Sequence, residues 1–215
     1  MPTNIDKVAL MIRSLFINAE WNLVYDLIQF LVNSRTGQDR RVKIVYFIHK
    51  CNEALETHMS YYRFINYIIC PISSDDEIQA IQEATNSFST VNKHLTDALK
   101  KLSDRENPDY RNSIKESISA VECLCKIITN DDNASLGKAL DLIKNKGHIN
   151  IHPALNDSFN KLYGYTSNEK GIRHSFGLLD EDNLNFEEAK FMLVSCSAFI
   201  NFLNVKASKA VINIT

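Results

Sequence analysis

Apolar side chains recur along most of this chain at the three- and four-residue spacing of a helix face. Ile5, Val8, Ile12, Leu15 and Phe16 make one such face, with Thr3 or Asn4 placed to cap it. Asn18 and Glu20 interrupt the rhythm. It resumes with Trp21, Val24, Tyr25, Ile28 and Leu31 and ends in the turn-like stretch 33–39. A second run, from Arg40 to about Met59, is predicted to turn Val42, Val45, Tyr46 and Ile48 inward and the basic Arg40, Arg41 and Lys43 toward solvent. The segment YYRFINYIICPI, residues 61–72, breaks the helical period with aromatic and β-branched residues around Asn66. It predicts a short β-hairpin with strands near 61–65 and 68–72, and two strands alone are marginal in water, so they must rest on helices.

Ser73 or Ser74, followed by Asp75, Asp76 and Glu77, starts the next helix, because acids in a first turn suit the helix dipole. Helices are predicted near 75–88 and 90–103, the second with His94, Leu95, Ala98, Leu99 and Leu102 on adjoining positions. The polar stretch Ser103–Asp109 reads as a linker, with Pro108 welcome in a first helical turn. It divides the chain into an N-terminal helical region with the hairpin, 1–106, a C-terminal helical bundle, 107–206, and a tail, 207–215. Within 109–129, Ile114, Ile118, Val121, Cys125 and Ile128 form a narrow stripe, flanked by Arg111 and Glu122. Glu122 falls between Ile118 and Cys125 in register, so it needs a partner, for which Arg173 or another loop donor is the candidate.

A further helix opens at Ser135 and stops at Gly147. His148 and His152 straddle a turn, and His152-Pro153 reads as a helix start leading into Leu155, Phe159, Leu162 and Tyr163 rather than as a metal-binding pair. The last helix, Phe186 to about Leu203, is apolar nearly all round, which means burial on all sides or contact with a second subunit. A homodimer through this helix is expected. The end, AVINIT, reads either as an edge strand or as a segment without fixed structure. The fold class is therefore mainly α: a multi-helix bundle with one short β-hairpin at about 61–72.

Composition narrows the partners. The 215 residues are 45% hydrophobic and 23% charged, ordinary for a soluble globular protein with a substantial core. A net charge of −2 provides no global basic field, so contact with RNA would need a local patch. Five cysteines, an odd number set in apolar segments, fit free thiols in a reducing compartment, with neither a disulfide framework nor a zinc pattern. Cys123 and Cys125 stand about 200° apart around a helix, so they cannot share one metal. The start, MPTNIDK, lacks the pattern of a signal peptide, and the longest apolar stretches are broken short of a membrane span. A cytoplasmic protein with no membrane contact and no cofactor is expected.

The candidate chemistry lies in Tyr163–Phe176, YGYTSNEKGIRHSF. Gly164 and Gly171 can hinge a loop, and Tyr163 and Tyr165 can anchor it by their ring faces. Arg173, a permanent cation with a planar fork of donors, adjoins His174, the side chain that titrates near neutrality. Such a pair can hold a phosphate and move a proton. The same two residues could instead cap the last helix or bridge it to its neighbours.

The strings RNSIKESISAVE, SLGKAL, HPAL, LYGYTSNEKGIRH and AKFMLVSCSAFINFL, in that order after YRFIN, resemble bacterial abortive-infection proteins with an AbiJ-type N-terminal domain. The resemblance implies phage defence and a C-terminal helical region of the HEPN kind, in which many members are metal-independent RNA endonucleases acting as dimers. It makes Arg173 and His174 the catalytic candidates and Tyr163, Tyr165, Arg111 and Asn112 the substrate contacts, with Glu122, Gly164 and Gly171 in support. Arg173 and His174 are adjacent, closer than in the nuclease motif of that family, so they converge on one phosphate only in an irregular loop or across a two-fold axis. A non-catalytic interaction or sensor module is the alternative.

Overall fold

The computed structural model describes residues 3–34, 38–145, 149, 151–167 and 184–210. These residues form helices α1 (Asn4–Asn18), α2 (Trp21–Asn33) and α3 (Gln38–Thr57), strands β1 (Arg63–Ile65) and β2 (Ile68–Cys70), then α4 (Asp75–Thr85), α5 (Ser89–Leu102), α6 (Tyr110–Thr129), α7 (Leu136–Asn145), α8 (Pro153–Ser167) and α9 (Phe186–Lys209). The described residues adopt the mainly α class with a single hairpin. It divides into two compact units, Met1–Pro71 and Ile72–Thr215.

In the first unit, Thr3 caps α1 through a reciprocal box: its hydroxyl accepts from the Asp6 amide at 3.2 Å, and its own amide donates to the Asp6 carboxylate at 2.8 Å. The Asp6 carboxyl is held below its usual range first by the Thr3 hydroxyl, which donates to it at 2.7 Å, and then by the Thr3 amide. Ala19 and Glu20, both extended, separate α1 from α2. The core gathers Val32, Ile44, Phe64 and Ile69, with Tyr25, Ile28, Ile48, Cys51 and Tyr62 packed against it. The inward register of α3 thus differs from the expected one. Ile44 is buried and Ile48 lies beside it, while Val42, Val45 and Tyr46 are exposed.

The hairpin pairs Arg63 with Cys70, Phe64 with Ile69 and Ile65 with Ile68. Asn66 and Tyr67 both have positive φ, 47° and 68°, the left-handed pair that a two-residue loop of primed type requires. Side chains of two helices satisfy the outward backbone groups. Asn52 of α3 accepts from the Phe64 amide at 2.7 Å and donates to the Phe64 carbonyl at 3.1 Å. Gln29 of α2 accepts from the Ile69 amide at 2.7 Å. Trp21, Tyr25 and Tyr62 cluster with ring centroids 5.2–5.6 Å apart.

The second unit is organised around α6, which packs against α5, α7, α8 and α9. Its predicted stripe is buried, and so is a second one of Ser113, Ser117, Ala120 and Leu124. Small residues there let α5 approach closely, and the Ser113 hydroxyl donates to the Ala98 carbonyl at 2.8 Å. The polar stretch 103–109 is an ordered turn. Asp104 accepts from the amides of Glu106 and Asn107 at 3.0 and 2.8 Å, and the Asp109 amide donates to the Lys101 carbonyl at 3.0 Å. The compact units therefore divide at Pro71/Ile72 and not at this stretch, because α4 and α5 pack with α6 and α9. α9 starts at a capping box of Asn185 and Glu188 and continues to Lys209, so residues 207–209, expected in the tail, are helical.

Candidate functional site

The predicted site residues are distributed along the second unit. Arg111 and Asn112 occupy the first turn of α6, both partly buried. Asn112 is held by the helix cap: its amide donates to Asp109 Oδ1 at 3.0 Å and its Nδ2 to Asp109 Oδ2 at 2.7 Å. Burial of the Asp109 carboxyl works to raise its pKa, but the Asn112 bonds and the Lys101 ammonium outweigh that and leave it below the usual range. The side chain of Asn112 is thus committed to holding α6 in place. Tyr110, one residue earlier, meets Phe186 edge-on with centroids 6.4 Å apart, which brings the start of α6 beside the start of α9.

Tyr163 and Gly164 belong to helix α8, not to a loop, and Tyr165 is helical as well, its side chain outside the described residues. Among the described residues a Cβ added at Gly164 would meet nothing within 4 Å, so none of them demands glycine there. α8 begins at Pro153, with His152 Nδ1 accepting from the Ala154 amide at 3.2 Å, so His152 serves as the helix start. α8 is secured to α9 by Phe159 stacked on Phe199. Gly171, Arg173 and His174, and the His148 of the turn before α8, lie outside the described residues.

Glu122 is mostly buried and pairs with Lys126, one turn along α6, at 3.0 Å. Lys126 is thus one partner of Glu122, while the expected loop donor Arg173 lies outside the described residues. A second ion pair joins Lys190 of α9 to Glu77 of α4 at 2.7 Å. The seam of α5 and α6 holds a pairing with no signal in the sequence: His94 Nδ1 lies 2.7 Å from Glu116 Oε2, across 22 residues of chain. A turn further on, the Cys123 thiol meets the Thr90 hydroxyl at 3.1 Å. Cys125 and Cys196 are fully buried, which pushes the Cys196 thiol up to about 12 and the Cys125 thiol higher still. Both therefore pack as apolar groups. Among the described residues, no three His, Cys, Asp or Glu side chains converge as a metal-binding group.

α9 is the one described helix long and apolar enough to cross a membrane by composition. Its Ala189, Leu193, Cys196, Ile200 and Leu203 are buried, and its Asn201 donates to the Ala80 carbonyl of α4 at 2.9 Å. Phe191 and Val205 remain exposed on it.

The class that these elements define is a mainly helical protein of two compact units with a helix-supported hairpin in the first. Residues 1–87 match the family model described as AbiJ N-terminal domain 4. The match spans the first compact unit and continues through α4. No curated protein matches the chain, and no solved structure does.

Proposed function

We propose that this protein acts in abortive infection as a phage-defence effector that cuts RNA without a metal ion, using Arg173 and His174 of a HEPN-like C-terminal bundle. The observation that carries the defence role is the match of residues 1–87 to the AbiJ N-terminal domain 4 model. The chemistry of the two side chains supports the reaction class. His174 takes the proton from a ribose 2′-hydroxyl or returns one to the leaving oxygen, and Arg173 balances the charge that grows on the phosphate. Arg111, in the first turn of α6 beside the start of α9, is the second cation of this reading. In this reading Tyr163 and Tyr165 stack bases of single-stranded RNA. The dimer belongs to this reading, with the exposed Phe191 and Val205 of α9 as its contact.

The test compares purified wild-type chain with His174→Ala and Arg173→Ala on mixed RNA in excess chelator. The wild type is expected to cut, and His174→Ala to cut slower by roughly a hundred- to ten-thousand-fold with unchanged helix content. If His174→Ala cuts as fast as the wild type, the assignment fails. A second reading, a non-catalytic interaction module, is favoured by the apolar side chains that the first unit exposes on α1 and α3. It predicts intact RNA with every variant and phage resistance that survives His174→Ala.

A further inference from the structure

The family match and the compact units divide the chain at different places, and α4 lies between the two divisions. The match runs through residue 87, yet α4 packs with α5 and α9, inside the unit that begins at Ile72. Its Ile81, Ala84 and Thr85 are buried. Polar ties fix it to α9 as well. Glu77 pairs with Lys190 at 2.7 Å, Asn201 Nδ2 donates to the Ala80 carbonyl at 2.9 Å, and Asn204 Nδ2 donates to the Ser87 hydroxyl at 3.2 Å. One partner of each tie stands inside the match, and the other belongs to α9, far outside it. From Lys190 to Asn204 the ties spread over about four turns of helix, so α9 is held at more than one point.

The connection back to the first unit is short. Residues 71–74 join β2 to α4, with Cys70 and Ile72 fully buried on either side of Pro71. A boundary between freely moving domains falls in exposed, flexible chain. Here a residue with a ring-locked φ stands between two buried side chains, which leaves the link little slack. β2 is in turn paired to β1, whose Phe64 lies in the core of the first unit.

We propose that α4 is a relay built into the fold. It is the last helix of the matched N-terminal region, it is docked in the second unit, and it carries a change of state in the first unit to α9. A partner that tightens or loosens the first unit thereby alters how firmly α9 is held, with no contact of its own to α9. The proposal is independent of the nuclease reading.

Hydrogen exchange of the full chain tests it, read by mass spectrometry on peptides of the hairpin, of α4 and of the α9 segment holding Asn201 and Asn204. Phe64→Ala removes a buried ring from the core of the first unit and speeds exchange in the hairpin. It is expected to speed exchange in α4 and α9 as well, by roughly five- to a hundredfold. Ile69→Val, a smaller loss in the same core, repeats the comparison in a chain whose fold circular dichroism checks. Glycines inserted between Ser73 and Ser74 slacken the link and leave both cores intact. With them the hairpin of Phe64→Ala still exchanges fast, while α9 is expected to exchange as it does in the inserted chain with Phe64 in place. A response confined to the hairpin, or to the hairpin and α4, overturns the relay. So does an α9 response that survives the glycine insertion.

Discussion

Several side chains here replace backbone partners, and their loss can be priced one at a time in stability. Asp109 caps α6, Thr3 caps α1 and Asn185 caps α9. Asp109→Ala is expected to lower stability by about 1 kcal/mol at neutral pH, the usual worth of an N-cap. The Asp109 carboxyl titrates lower in the folded chain than in the unfolded one, so its stabilisation is complete above its ordinary value and fades as pH falls through the depressed one. The gap between wild type and variant in urea titrations should therefore close below about pH 4. A gap that stays constant into acid would remove the charge from the account and leave only hydrogen bonding. The polarity of 103–109 was legible in the sequence, but its order was not. The same Asp, Asn and Pro residues that suit a linker also suit a turn in which Asp104 and Asp109 answer the free amides.

At the scale of elements, the hairpin shows how a two-stranded sheet survives without a third strand. Asn52 offers Phe64 both halves of a neighbouring strand, and Gln29 covers one amide on the other edge. Asn52→Ala leaves both Phe64 groups buried and unpaired, and is expected to destabilise the first unit by about 1–3 kcal/mol, read from its melting transition. No change in that transition would mean that the amide is dispensable. The hairpin was legible because Asn66 stands between two β-branched runs; its supports were not, since Asn52 and Gln29 look like ordinary polar positions of helices. The stripes of α6 and α5 were legible through their strict spacing. The register of α3 was misread because Val42, Val45 and Tyr46 carry the right spacing and hydrophobicity, and only Ile44 shows which face the hairpin covers. Tyr163 and Gly164 suggested a loop, but a glycine ends a helix only where positive φ or a cap is needed, and α8 continues through both to Ser167.

At the scale of the whole molecule, two units share one chain and differ in how much of their apolar surface is covered. In the second unit α6 and α9 are buried on several sides, and the ion pairs Glu122–Lys126 and Glu77–Lys190 satisfy charges that would otherwise be costly there. The first unit, which carries the AbiJ-type match, leaves apolar faces of α1 and α3 open. This asymmetry fits a division of labour, with recognition or assembly in the first unit and chemistry in the second. The masses of RNA fragments made by the purified chain in chelator test the proposed chemistry most directly. Attack by the neighbouring 2′-hydroxyl leaves 2′,3′-cyclic phosphate ends, and these are the ends expected from the wild type and lost with His174→Ala. Fragments ending in a 3′-hydroxyl, or RNA recovered intact, would contradict it.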